Sequence, residues 1–203
     1  VLRSIVPQSC AIQVGSNGEL DYGEISAEYI LADPTIGKPI GYKDTTLTID
    51  CGEVSSQVGV SLADNRAESR VDGLTMIPAG GISITTSGPD AFGLGTANGK
   101  NLGAYVAGLR EGTVGSADSY FGYVDMNDIS KLTSISNVVA LNADDFSKNR
   151  LATWIDPDTK QIAAGKVFNA MLAVSPTLNK GSELDLSGNV RLDGNATLTV
   201  YYL

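Results

Sequence analysis

The residue types that carry most enzyme chemistry are scarce in this chain. It has no histidine and only two cysteines, Cys10 and Cys51. Without histidine, Ser-His-Asp and Cys-His nucleophilic sites are excluded, and so are histidine-ligated metals. Two thiols are too few for a four-cysteine zinc or iron–sulfur centre. They can make one disulfide, or they can be two unrelated buried thiols in a reducing cytosol. An even cysteine count favours an oxidising compartment. A disulfide between residues 41 apart would stabilise the fold by about 4 kcal/mol through loop entropy.

The other candidate motifs are weak. Asp125-Met126-Asn127-Asp128-Ile129 begins like a calcium loop, but Ile129 stands where the next ligand belongs and the required glycine is missing. Asp144-Asp145 and Asp156-Pro157-Asp158 are acidic pairs that suit solvated turns, with a surface calcium as the alternative. Phe92-Gly93-Leu94-Gly95-Thr96-Ala97-Asn98-Gly99 is glycine-rich, but no βα unit surrounds it, as a phosphate cradle requires. It reads as a bend between strands. There is no Ser-x-x-Lys and no Gly-x-Ser-x-Gly. A hydrolase needs only two suitably spaced acids, yet none here has a recognisable setting. The lone tryptophan, Trp154, is either core or a stacking platform for sugar. The expectation is a protein that is not an enzyme and uses no metal or cofactor.

The elements behind these residues are strands. The 203 residues (21.1 kDa, net charge −9, pI near 4.4) are 42% hydrophobic and 18% charged, with mean hydropathy +0.03. That composition excludes a disordered tail and a coiled coil. No apolar run approaches the ~20 residues of a membrane helix, so the chain is not expected to be membrane-embedded. The acidic balance, with no basic stripe, argues against nucleic acid and anionic lipid.

Apolar residues recur with period two. Leu47, Ile49 and Cys51 share a face, as do Val58, Val60 and Leu62. Ile82 and Ile84 pair similarly; Tyr105, Ala107 and Leu109 form another set, and Phe168, Ala170, Leu172 and Val174 another. The closing run places Ala196, Leu198, Val200 and Tyr202 on one side. Turn signals such as Ser16-Asn17-Gly18, Asp72-Gly73, Asn98-Gly99 and Asp193-Gly194 separate the runs, and 23 glycines suit many short strands. Short helical turns are allowed near Ser61 to Arg70 and Asp125 to Leu132. The reading is one all-β domain over residues 1–203, an antiparallel sandwich. The least patterned stretch, 112–166, is expected to be a loop-rich insertion. The chain opens Val1-Leu2-Arg3-Ser4 with no leader visible, and is read as a mature or trimmed chain.

Several segments together carry a resemblance. They are Val6-Pro7-Gln8-Ser9-Cys10, Asn17 to Ile25, Leu47-Thr48-Ile49-Asp50-Cys51, Asp64-Asn65-Arg66-Ala67-Glu68-Ser69, Phe92 to Gly95, Asn101 to Tyr105, and Leu192 to Leu203. In this order, with this cysteine spacing and closing strand, the sequence resembles subunits of bacterial chaperone–usher fimbriae. It is most similar to a group of fimbria-like secreted proteins of largely unknown function.

The resemblance implies an immunoglobulin-like sandwich that lacks its last strand. An open hydrophobic groove is then filled first by a periplasmic chaperone and later by a strand from the next subunit. It implies a Cys10–Cys51 disulfide and strand pairing along Ala196, Leu198, Val200 and Tyr202, with Leu47, Ile49, Val58 and Val60 lining core or groove. The implied partners are related or identical subunits, the chaperone and an outer-membrane usher, during export through the periplasm to a fimbrium on the bacterial surface. The donor segment would be the alternating Val1, Arg3 and Ile5. Arg3 fits a groove poorly, and only nine residues precede Cys10, so either residues precede Val1 or the subunit sits at a fibre tip. The alternative function is a tip adhesin that binds a carbohydrate or other host ligand through 112–166, with Trp154 as the stacking residue.

Overall fold

The computed structural model describes residues 9–82 and 84–203. The donor segment expected at Val1, Arg3 and Ile5 lies outside the described residues. In chain order the elements are β1 (Ala11–Val14), α1 (Ala27–Leu31), β2 (Lys38–Pro39), β3 (Lys43–Asp50), β4 (Val58–Asp64), β5 (Phe92–Gly93), β6 (Thr96–Ala97) and β7 (Lys100–Asn101). They continue with β8 (Gly103–Val114), β9 (Ala117–Asp125), β10 (Asp128–Ser136), β11 (Val138–Leu141), β12 (Arg150–Ile155), β13 (Val167–Leu178) and β14 (Ala196–Tyr202). Among the described residues, the pairings between these strands are antiparallel.

The protein is an all-β antiparallel sandwich. One layer runs β1-β3-β13-β8, with β11 and β5 on the far side of β8. The other runs β10-β9-β12-β4-β14. The β8–β9 hairpin joins them through the pairs Gly112↔Ser119 to Val114↔Ala117. Between the layers, Leu47 and Ile49 of β3 face Val58 and Val60 of β4, all fully buried. Trp154 of β12 sits between Phe121 and Phe168, with both ring centroids 5.6 Å away, and its indole N–H donates to the Asn169 carbonyl at 2.9 Å. That bond satisfies the only polar atom of a completely buried side chain. Trp154 is core, and the sugar-stacking alternative is removed.

The stretch 112–166 differs from the loop-rich insertion expected. It holds the end of β8 and all of β9, β10, β11 and β12, and β9 and β12 lie in the interior of their layer. The β12 sequence Arg-Leu-Ala-Thr-Trp-Ile is buried at nearly every position, because both faces are covered. Such a strand has no polar face to alternate with. The same holds for β8, whose outer face is covered by the segment from Val71 to Ala91. Leu74, Met76 and Ala91 pack on Ala104 and Val106, and Ala79 and Ile82 pack beside Ala173.

The glycine-rich run Phe92–Gly99 is a strand bend followed by a tight hairpin. Asn98 and Gly99 link β6 to β7 with φ of 51° and 73°, the left-handed pair a two-residue connection needs. Of the two stretches that allow helical turns, the first contains a 3₁₀ turn at Ala67–Ser69, while the second is the β9–β10 hairpin. No helix among the described residues is long and apolar enough to cross a membrane.

Candidate functional site

β14 is the last strand of its layer. It pairs with β4 from Ala196↔Asp64 to Tyr202↔Val58 without a register shift. Beyond it the layer has no further strand among the described residues. The register fixes which backbone groups are left over. Backbone bonds from Leu203 N–H to the Gln57 carbonyl and from Asn65 N–H to the Asn195 carbonyl mark the odd-numbered residues as the hydrogen-bonded pairs. In an antiparallel ladder such pairs alternate. The N–H and C=O groups of Ala196, Leu198, Val200 and Tyr202 therefore point away from β4, toward the open edge.

The side chains of Ala196, Leu198 and Val200 point inward, yet they are only half-buried against the main core, while Thr197 and Thr199 are exposed. These are three of the four residues, Ala196, Leu198, Val200 and Tyr202, expected to point inward from the strand that borders a groove. Tyr202, predicted to point into the core with them, is instead 55% exposed. At the strand end its ring leaves the core, and its hydroxyl accepts a hydrogen bond from the Cys10 N–H at 2.5 Å. Leu47, Ile49, Val58 and Val60 have no exposed surface. They are sealed by the opposite layer, so they are core residues and not walls of an open groove.

An open groove does exist, at the Asn195 end of β14. Its volume is about 1130 Å³, and it runs between residues 18–27 and 184–195 over a floor of Leu102 and Leu178. Its walls include Ile25, Leu184, Leu186, Val190 and Leu192, each half-buried against the same core as β14. The sequence carried a signal for these residues: Leu184 and Leu186, then Val190 and Leu192, keep period two across Ser187-Gly188-Asn189. The segment forms no strand, because nothing pairs with it. Glu19, Asp21, Glu24 and Asp193 line the rim with Arg191, giving it a net negative charge. Arg66 ties Asp193 down at 3.0 Å, and the Ser187 hydroxyl and N–H hold the Asp185 carboxyl below its usual range. Tyr22, on the same wall, donates to the Val174 carbonyl at 2.6 Å; burial pushes its phenol up to about 12.

The layer's other edge, β10, is built differently. Its pairing with β9 is broken by register shifts between Asp128 and Leu132 and between Thr133 and Ser136. Ser134 has φ of 56°, and Lys131 projects from the strand. Bulges and a lysine are the usual means of making an edge unable to pair. β14 has neither. In the opposite layer the edge strand β1 is only 4 residues long.

The Cys10–Cys51 disulfide is present, joining the residue before β1 to the residue after β3. It fits an extracellular or periplasmic protein. The acidic motifs are structural. Asp125 accepts from the Asn127 N–H at 2.8 Å, and Asp156 accepts from the N–H groups of Asp158 and Thr159. Asp145, expected in a solvated turn, is instead buried, bonded to Arg150 at 2.6 Å and to Asn142. Among the described residues no three cysteine, aspartate or glutamate side chains are grouped to hold a metal.

Comparison with known proteins gives one family match. The model of a family described as "Protein of unknown function (DUF1120)" covers residues 1–106. No curated protein matches the chain. Among solved structures, the crystal structure of the P pilus rod subunit PapA is similar at 13% identity. The alignment covers 98% of this chain and 100% of that one, with a TM-score of 0.38.

Proposed function

The chain belongs to the DUF1120 family of proteins of unknown function, and we propose that it is a pilin-like structural subunit that accepts an extended strand from another polypeptide along β14. The observation that carries this reading is the contrast between the two edges of one layer. β10 is bulged and carries a lysine, whereas β14 is straight, in register, and leaves the backbone of Ala196, Leu198, Val200 and Tyr202 facing outward above half-buried side chains. A strand laid there would satisfy those peptide groups, complete the burial of Leu198 and Val200, and continue into the adjoining groove. This is strand addition, in which backbone bonds give affinity and alternate side chains give specificity.

In this reading the role is structural, not catalytic. The donor is a related or second subunit, with a periplasmic chaperone filling the edge beforehand and an usher exporting the subunit to a fimbrium that supports adhesion. Head-to-tail contacts of this kind do not close and so give filaments. The disulfide and the absence of histidine chemistry are consistent with that role. Burial of Trp154 removes the residue that favoured a carbohydrate-binding adhesin.

The test uses the full chain and a synthetic peptide with a seven-residue core, the length of β14. Valine alternates with threonine in the core, and a lysine at each end complements the acidic rim. Uptake should slow amide exchange at Ala196, Leu198, Val200 and Tyr202. It should also raise unfolding stability by about 2.7 kcal/mol when peptide is at 100 times its dissociation constant. Unchanged exchange at those four amides at saturating peptide would sink the proposal.

A further inference from the structure

Among the described residues, a hydrogen bond crosses the open side of the sandwich from the last residue of β14 to the residue before β1. The Tyr202 hydroxyl accepts from the Cys10 N–H at 2.5 Å. Cys10 is itself anchored to Cys51, a core residue only 1% exposed, by the disulfide. The acceptor therefore reaches from the edge of one layer to a fixed point on the edge of the other. A tyrosine at full reach plus this bond covers about two inter-strand spacings, ~9–10 Å. That is also about the separation of two stacked sheets, so the phenol spans the mouth between the two edges. Tyr202 is also one of the residues whose N–H and C=O face the open edge, so a strand pairing to the end of β14 passes the mouth that its side chain spans.

We propose that the Tyr202–Cys10 contact is a latch that holds the two free edges together in the unoccupied protein and must release before a strand can pair over the full length of β14. This rests on the strand-accepting reading of β14 and adds a regulatory step to it. While the latch is shut, pairing extends from Ala196 to Val200. When it opens, the Tyr202 peptide groups become available and the phenol swings out into solvent, where more than half of the residue's surface already lies. The side chain is a gate because its covalent position on β14 and its hydrogen-bond partner on the opposite layer cannot both be kept once a strand lies between them.

The experiment compares the wild-type full chain with Tyr202→Phe and Tyr201→Phe, using the lysine-ended valine–threonine peptide carrying a fluorophore. Tyr202→Phe removes only the hydroxyl that accepts from Cys10. Tyr201 points to the other face, its ring against Phe146 and its hydroxyl 3.4 Å from Ser61. An exposed neutral hydrogen bond lost from the resting state should speed peptide association about 3- to 10-fold in Tyr202→Phe, with no change in Tyr201→Phe. Amide exchange at Cys10 in the peptide-free protein reads the contact itself and should quicken in Tyr202→Phe alone. If the peptide binds all three proteins at one rate, the latch is overturned and the strand-accepting edge stands. If no protein takes up peptide, the edge reading falls. In that case an unchanged Cys10 exchange rate in Tyr202→Phe overturns the contact as well, and a raised rate keeps it only as a link between the two layers, so the latch falls with the edge.

Discussion

Replacing Leu198 by asparagine tests the β14 edge through the difference between two states of one side chain. Asparagine is close to leucine in shape but polar. In the free protein Leu198 is half-buried, so the new amide keeps contact with water, and the loss is part of the leucine transfer free energy, about 1 kcal/mol. Once a strand covers the site, the amide is dehydrated. The complex then loses the remaining leucine burial, about 1 kcal/mol, and pays about 1–3 kcal/mol for an unpartnered amide. Binding should weaken by about 2–4 kcal/mol, roughly 30- to 1000-fold. Thr199→Asn, one position along on the exposed face, should leave affinity unchanged. Fluorescence titration of the labelled peptide gives the affinities, and urea midpoints of the free proteins check that both variants fold. Equal weakening by the two variants, or none from Leu198→Asn, would refute the inward parity on which the site is built.

Two further outcomes concern the fold. Reducing the Cys10–Cys51 disulfide, whose partners are 41 residues apart, should cost about 4 kcal/mol of stability, read from urea midpoints with and without reductant; a loss under about 1 kcal/mol would show that the loop term does not govern. Alkaline titration should also destabilise the protein in a defined window. Burial, the largest cause in each case, holds the Tyr22 and Tyr123 phenols up to about 12, while an unfolded chain's phenols ionise near 10. Their contribution is complete below pH 10 and is lost as pH rises toward 12. Phenolate absorbance followed beside the urea midpoint checks it, and the expectation fails if both phenols ionise near 10 in the folded protein.

What the sequence made legible was parity, wherever one face of a strand meets core and the other meets water. Leu47 and Ile49, and Leu198 and Val200, all take the side that alternation assigned. It failed where both faces are covered. β12 reads as an undivided apolar run, because nearly all of its positions on both faces are buried. That is why a stretch with two strands in the interior of a layer looked like an insertion. Parity also gives a face without saying what lies over it. Val58 and Val60 share their face pattern with Leu198 and Val200, but the first pair is sealed and the second is not. The groove walls Leu184, Leu186, Val190 and Leu192 had the right spacing but no turn-bounded strand around them, since the backbone that would pair there is not supplied by the described residues. Tyr202 departs from its neighbours in that its hydroxyl reaches across to the Cys10 N–H.

The bulges and lysine of β10 limit how many neighbours the molecule can recruit in that layer. With only the β14 flank receptive, one short peptide per molecule is enough to saturate it. On the proposed strand-accepting role, filament growth should respond to such a blocker as chain growth does to a terminator, with particle length falling in proportion to the added mole fraction and without branching.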